Sequence, residues 1–179
     1  TSKYTWYASA ASDVYKRQEY HSIDITKNKD WENLALYIKK KFKKIDVLVN
    51  SAGVRLSGNL ETTSMSDWSY HLNNNVTGTF LACKYILPFL KKAKNSSIIN
   101  VASINSIRGA KNMLAYATSK SAVISFTASL ALDLTKNKIR VNAVAPGAIE
   151  TPMLASFKKD LSLKELSLIH ISEPTRRTT

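Results

Sequence analysis

A tyrosine and a lysine four residues apart, Tyr116 and Lys120, give the first chemical signal in the sequence. This spacing places both side chains on one face of a helix, one turn apart. A phenol with a pKa of about 10 is a poor base at neutral pH, but a neighbouring ammonium stabilises a phenolate. Such a pair can pass a proton to or from an alcohol or carbonyl oxygen. The hydroxyl of Ser103, thirteen residues before Tyr116, can hydrogen-bond the same oxygen.

The same spacing occurs a second time, so the pair alone identifies no site. Tyr37 and Lys41 lie in a lysine-rich segment without a serine at a matching offset, and we interpret them as a solvated surface pair. Without context, Tyr116 and Lys120 would also be interpreted in this way. They differ because Ser103 follows a predicted strand, and this favours them as the reactive pair.

The elements that must position these residues alternate between short apolar runs and helical patterns. The sequence predicts strands at Tyr20–Ile25, Ile45–Val49, Ser97–Val101 and Ile139–Val144, and helices at Asp30–Lys43, Met65–Lys92 (with a break near Gly78) and Met113–Thr135. Ile45–Val49 is apolar except for Asp46, and we interpret it as a strand buried on both faces. The alternation predicts an α/β fold with a doubly wound parallel sheet. Ligands of such sheets bind beyond the carboxyl ends of the strands.

The composition excludes several classes of function. The chain has 179 residues, a net charge of +13 and a single cysteine, Cys83, which excludes an intramolecular disulfide and a cysteine-cluster zinc site. The three histidines have no metal-ligand spacing, so we expect no metal. No apolar run reaches the roughly 18 residues of a membrane span, and no secretory signal precedes the first strand. We expect a cytoplasmic protein whose lysine-rich surface is solvated and binds neither nucleic acid nor membrane.

The two ends differ from the middle of the chain. Residues 1–18 and 162–179 show no sustained periodicity and resemble translated sequencing-adapter sequence, notably in the stretches DVYKRQ and SLIHISEPTRR. We interpret both ends as non-native or disordered, the alternative being native disordered tails. Residues 19–161 then form one partial domain.

Six motifs occur together in one order along the middle of the chain. They are Asn50-Ser51-Ala52-Gly53, Asn75-Val76-Thr77-Gly78, Ser103, Tyr116-Ala117-Thr118-Ser119-Lys120, Asn142 and Pro146-Gly147-Ala148-Ile149-Glu150-Thr151. In this order and at these spacings they resemble a short-chain dehydrogenase/reductase of the classical type, across roughly residues 19–157. The resemblance implies a Rossmann-like fold and hydride transfer between NAD or NADP and a secondary alcohol or ketone.

The resemblance also implies a role for each matching residue. Tyr116 would be the general acid/base, Lys120 would favour its ionised form and bind the nicotinamide ribose, and Ser103 would orient the substrate oxygen. Asn75 would hold a water in the proton relay, or else only mark a helix kink. The other implied cofactor contacts are Asp24 and Ile25 near the adenine ring (Asp24 alternatively capping its loop), Asn50, Ala52 and Gly53 at the ribose, and Pro146, Gly147, Ile149 and Thr151 around the nicotinamide and its phosphate.

The sequence also departs from the family pattern. Ser51 stands where the family usually has a second asparagine. The family opens with a strand, a Gly-rich turn and a helix that bind pyrophosphate, yet none of the five glycines here forms such a turn. We therefore expect the first two strands and the first helix of the family to be missing, and its last strand to lie beyond Leu161. For this reason the sequence does not show whether the cofactor is NAD or NADP.

The substrate remains open at this level. A 3-oxoacyl-carrier-protein reductase would suit the basic surface, and a small alcohol, sugar or steroid is equally compatible. We expect the natural protein to be a competent reductase that forms a homodimer or homotetramer through the long helices, and the 179-residue chain to be weakly active or inactive. The alternative is a non-catalytic binding or assembly piece on the same scaffold.

Overall fold

A computed structural model describes residues 18–149 of the chain. Within this range the strands are β1 (Val47–Asn50), β2 (Ser97–Val101) and β3 (Arg140–Val144), and the α-helices are α1 (Asn28–Lys41), α2 (Met65–His71), α3 (Gly78–Leu90) and α4 (Leu114–Asp133). The predictions for residues 1–17 and 150–179, including Thr151, lie outside the described residues. No helix of the described part is long and apolar enough to cross a membrane.

The three strands form a parallel sheet in the order β1–β2–β3. Val47 pairs with Ser97, and Ser97 pairs in turn with Arg140, so all three strands begin at one edge. Their carboxyl ends meet at the opposite edge. The predicted α/β fold with a parallel sheet is thus confirmed.

The predicted strand at Tyr20–Ile25 is wrong, because residues 18–24 form no strand. The reason is a local turn around Asp24. Its carboxylate accepts hydrogen bonds from the backbone N–H and the hydroxyl of Thr26, at 2.9 and 2.7 Å. Its backbone N–H donates to the carboxylate of Asp30 at 2.7 Å. These side chains satisfy backbone groups that a strand would have offered to a neighbour.

Burial of β1 on both faces is also wrong. Val47 and Val49 are 52% and 54% exposed, because within residues 18–149 the helices α3 and α4 pack on the other face of the sheet. On that covered face, Ile98 and Val141 join a core formed with α3 and with α1, which packs against α3. The sheet is therefore one-sided in the described part of the chain.

The helical pattern from Met65 to Lys92 contains the predicted break. A π-helical segment, Leu72–Thr77, joins α2 to α3 and ends beside Gly78. A Cβ on Gly78 would lie 2.8 Å from Cδ1 of Ile25, so the glycine lets the residues before α1 pack closely on this junction. π-Helical turns of this kind frequently occur at functional sites.

Candidate active site

Tyr116 and Lys120 lie one turn apart on α4 and are both buried. The Nζ of Lys120 donates a hydrogen bond to the carbonyl oxygen of Val101, the last residue of β2, at 2.7 Å. This bond docks the first half of α4 on the carboxyl end of β2. Burial lowers the pKa of Lys120 from 10.5 to about 8, because an ammonium loses hydration there.

Ser103 follows β2 at the same edge of the sheet. Its Oγ accepts from the backbone N–H of Asn105 at 3.2 Å, and its own N–H donates to Ser106 Oγ at 3.1 Å. The hydroxyl of Ser121 on α4 donates to the carbonyl oxygen of Ser106 at 2.9 Å. The turn that carries Ser103 is therefore fastened to the helix that carries Tyr116.

Asn75, in the π-helical segment, connects the loop after β1 to α4. Its Oδ1 accepts from the backbone N–H of Val54 at 2.7 Å, and its Nδ2 donates to the Val54 carbonyl at 3.0 Å. The same Nδ2 lies 2.8 Å from Ser119 Oγ, which itself donates to the Tyr116 carbonyl at 2.7 Å. The side-chain amide thus clamps two elements together with both of its N–H donors and one lone pair of Oδ1.

Gly53 lies next to the side chains of both Asn75 and Lys120. A Cβ on this residue would lie 3.0 Å from Asn75 Oδ1 and 3.2 Å from Lys120 Nζ. Any larger residue would separate the loop from the ammonium or displace the amide. The glycine in the Asn50–Gly53 motif therefore has a steric cause in the tertiary structure.

Asn50 turns its side chain into the protein interior. Its Nδ2 donates to Asn100 Oδ1 on β2 at 2.8 Å and lies 3.4 Å from the Sγ of Cys83. Asn100 Nδ2 in turn donates to the hydroxyl of Thr127 on α4 at 2.9 Å. This buried chain of polar groups links the sheet to α4, and it leaves the backbone of Asn50 as the part that can meet a ligand.

The other predicted cofactor contacts divide into two groups. Pro146 lies near Ser103, since its carbonyl oxygen accepts from the N–H of Ile104 at 2.9 Å, and Gly147 and Ile149 follow it as exposed residues. Ala52 follows β1 and is half-buried.

Asp24 and Ile25 form the second group, at the start of α1. The hydrogen bonds from Thr26 lower the pKa of the Asp24 carboxyl, and Ile25 contacts Gly78. No described hydrogen bond within residues 18–149 joins Asp24 to the residues around Lys120.

The second tyrosine–lysine pair lies in a different environment. The hydroxyl of Tyr37 and the ammonium of Lys41 both bond the carboxylate of Glu19, and Lys41 is exposed. Only Lys120 of these two lysines is buried at a strand end. The surface interpretation therefore agrees with the exposure of Lys41, whereas Tyr37 is half-buried and packs against the core.

Two residues near Tyr116 escaped the sequence analysis. The guanidinium carbon of Arg55 lies 5.9 Å from the centroid of the Tyr116 ring, and its Nε donates to Met113 Sδ at 3.3 Å. The ring of His71 lies 6.4 Å from that of Tyr116, centroid to centroid. The i,i+4 spacing of His71 and Asn75 was the available signal, since it places both on one helix face.

The arrangement can exchange a proton and bind hydroxyl groups. One of the three ammonium protons of Lys120 bonds Val101, and the others suit a ligand hydroxyl. Within residues 18–149 no group of three or more His, Cys, Asp or Glu side chains could hold a metal ion.

Known proteins with similar sequence or structure point in one direction. The family described as short chain dehydrogenase matches residues 5–162. A trans-4-hydroxycyclohexanecarboxylate dehydrogenase of Sinomonas cyclohexanicum is 38% identical over 137 residues, which are 76% of this chain and 52% of that protein. A 3-oxoacyl-[acyl-carrier-protein] reductase of Thermotoga maritima is 35% identical over 155 residues, or 85% of this chain and 63% of that protein.

A solved structure, ElxO with NADP bound, superimposes with a TM-score of 0.77 at 34% identity and covers 85% of this chain and 62% of its own. The chain thus spans between half and two thirds of the length of these three proteins.

Proposed function

The chain belongs to the short-chain dehydrogenase family, and from this premise we propose that the protein interconverts a secondary alcohol and a ketone with NAD or NADP. The observation that carries the proposal is the buried Lys120, held at the carboxyl end of β2 one helical turn from Tyr116. Lys41, one helical turn from Tyr37, is exposed, so the spacing alone does not create this environment.

In the proposed reaction, Tyr116 moves the proton and the nicotinamide supplies or accepts the hydride. During ketone reduction the phenol donates its proton to the oxygen that gains negative charge, and during alcohol oxidation the phenolate takes it back. Lys120 supplies a positive charge one helical turn from Tyr116 and binds the ribose hydroxyls of the cofactor. Ser103 Oγ can donate to the same substrate oxygen and fix its orientation.

The residues present fit the nicotinamide and ribose end of the cofactor. Lys120 keeps donors for ribose hydroxyls, and Gly53 leaves space next to it that a side chain would fill. Asn50, Ala52 and Gly53 would hold the ribose through their backbone, and Pro146, Gly147, Ile149 and Thr151 would cover the nicotinamide. Asp24 and Ile25 would lie near the adenine ring, and Asn75 would hold a water of the proton relay.

The fit does not extend to the pyrophosphate. The five glycines of the sequence, at positions 53, 58, 78, 109 and 147, include no Gly-rich turn at the start of a helix. We therefore propose that this 179-residue chain binds the cofactor weakly and turns over slowly.

We propose a small-molecule ketone or secondary alcohol as the substrate class, with a 3-oxoacyl group on a carrier protein as one candidate. One relative is a reductase of 3-oxoacyl groups on a carrier protein, and another acts on a hydroxycyclohexanecarboxylate. Both names describe an oxygen on a secondary carbon, which is the chemistry that Tyr116 and Ser103 can serve. We also propose that the protein forms a homodimer or homotetramer and is located in the cytoplasm.

The test compares Tyr116→Phe with Tyr37→Phe in the 179-residue chain. Oxidation of NADH and NADPH is followed with a panel of 3-oxoacyl thioesters and cyclic ketones. Loss of the phenol should reduce turnover by a factor of about 100 or more, whereas the Tyr37 variant should match the unmodified chain. Equal turnover of all three proteins would overturn the proposal.

A further inference from the structure

A buried histidine at the end of α2, His71, has no part in the reaction described above. It is 1% exposed. Its Nε2 accepts a hydrogen bond from the backbone N–H of Leu56 at 2.9 Å, and its Nδ1 lies 2.7 Å from the carbonyl oxygen of Asp67. Both ring nitrogens are therefore bonded to backbone groups.

These two contacts define the protonation state of the ring. A carbonyl oxygen can only accept, so Nδ1 carries the proton that is donated to Asp67. A backbone N–H can only donate, so Nε2 must present a lone pair to Leu56. The contacts require the neutral Nδ1–H tautomer. A second proton, on Nε2, would face the N–H of Leu56 and the hydrogen bond would be lost.

His71 and Asn75 act together on the loop between β1 and α2 (residues 51–64). They lie one helical turn apart, and they accept from the N–H groups of Leu56 and Val54 at 2.9 and 2.7 Å. N–H groups two residues apart point to the same side of an extended chain. Two side chains of one helix face can therefore hold this stretch of the loop.

The position of this stretch decides what surrounds Tyr116. Arg55 lies between the two held residues, and its guanidinium carbon is 5.9 Å from the centre of the Tyr116 ring. Gly58, further along, accepts from the N–H of Leu114 at 3.1 Å and donates to the carbonyl of Asn112 at 2.8 Å. The loop is thus fixed at Val54 by Asn75, at Leu56 by His71, and at Gly58 by the start of α4.

The titratable groups around His71 come from three elements. Tyr116 faces it from α4, at 6.4 Å between ring centroids, and Arg55 belongs to the loop. Tyr70 lies next to it on α2, with ring centroids 6.3 Å apart. The carboxylate of Asp67 accepts from Ser64 at the other end of α2 and is directed away from the ring.

We propose that His71 is a positioning residue of the active site, whose neutral imidazole fastens the β1–α2 loop beside Tyr116 and whose protonation releases it. The inference rests on the proposed function, because the loop matters to turnover only if Tyr116 is the reactive group. The proposal predicts that acid weakens the hydrogen bond of the Leu56 N–H, and that this effect depends on the His71 side chain. Asn75 does not titrate, so the N–H of Val54 keeps its acceptor.

The test measures hydrogen exchange of the Leu56 and Val54 amides by NMR in the 179-residue chain, at about pH 7.5 and at a lower pH at which the NMR signals of the His71 ring show it to be protonated. Protection factors remove the intrinsic effect of pH on exchange. Protection of Leu56 should fall about tenfold at the lower pH, the worth of one hydrogen bond, while that of Val54 should stay constant. His71→Gln offers Leu56 an amide oxygen that does not titrate, so protection should persist at both values.

Two further variants complete the design. His71→Leu should leave Leu56 unprotected at both pH values, and His21→Gln, at an exposed histidine, should behave as the unmodified chain. Constant protection of Leu56 in the unmodified chain, or equal losses in the Gln and Leu variants, would overturn the proposal. If His71→Leu does not fold, the pH comparison with Val54 as internal reference still decides it.

Turnover gives a separate readout. The acid limb of the rate should shift to lower pH in His71→Gln, with little change at neutral pH. Exchange data that follow the prediction, together with ketone reduction that Tyr116→Phe leaves unchanged, would leave the role of His71 intact and overturn only the proposed function. An unchanged acid limb in His71→Gln would contradict the link to turnover.

Discussion

Replacing Lys120 by methionine should stabilise the fold at neutral pH, although it removes a hydrogen bond. The side chain is 6% exposed, and burial lowers its pKa from 10.5 to about 8. The difference of about 2.5 units corresponds to about 3 kcal/mol of destabilisation by the buried ammonium at about 1.4 kcal/mol per unit. The lost bond to the Val101 carbonyl offsets about 1–2 kcal/mol of the gain. We therefore expect a net gain of about 1–2 kcal/mol near pH 7.

The sign of the pH dependence follows from the direction of this shift. Because the folded-state pKa lies below the unfolded one, the unfolded chain binds the extra proton between about pH 8 and 10.5. The stability of the unmodified chain should therefore gain a contribution that rises across this window, by up to about 1.4 kcal/mol per pH unit. Below about pH 8 the penalty is fully present, because Lys120 is charged in both states.

The measurement is urea unfolding followed by circular dichroism at several pH values from about 7 to about 10. Lys41→Met is the matched control, because that lysine is exposed. Other groups titrate in this range in all three proteins, so the quantity that counts is the difference between each variant and the unmodified chain. The reasoning about Lys120 is refuted if the gain from Lys120→Met at neutral pH is absent, or if it does not shrink as the pH rises.

Two further predictions concern the packing around the site. Gly53→Ala places a Cβ 3.0 Å from Asn75 Oδ1 and 3.2 Å from Lys120 Nζ, so it should cost about 1–3 kcal/mol in urea unfolding. Gly109→Ala, where nothing lies within 4 Å, should cost less than about 0.5 kcal/mol, and equal costs would contradict the steric argument. Burial raises the pKa of the Cys83 thiol to about 11, so it should react with a disulfide reagent at pH 8 at least about tenfold more slowly in the folded chain than in urea. Similar rates would show that the thiol is accessible.

Local patterns were sufficient for most of the fold. The short, mainly apolar segments Ser97–Val101 and Ile139–Val144 indicate strands by their residue types, although their partners lie far away in the sequence. The helical spacing after Met113 indicates an element whose hydrogen bonds join residues a few positions apart. The failure at Tyr20–Ile25 has the same local character, because the carboxylate of Asp24 competed successfully for the backbone. The failure at β1 is different. A run of apolar residues indicates that a strand can be buried on both faces. Whether Val47 and Val49 are exposed depends on where the helices pack.

By itself, the sequence determined three of the four predicted strands, the helices between them, the parallel sheet and the place of Tyr116 and Lys120 one turn apart on a helix, because residue types at fixed short spacings carry this information. The tertiary structure alone decided that Lys120 is buried against Val101 and that a side chain at Gly53 would crowd Asn75 and Lys120. It alone decided, too, that His71 bonds Leu56. The partners in these contacts are 15 to 67 residues apart, and only the packing of helices on the sheet brings such distant groups together.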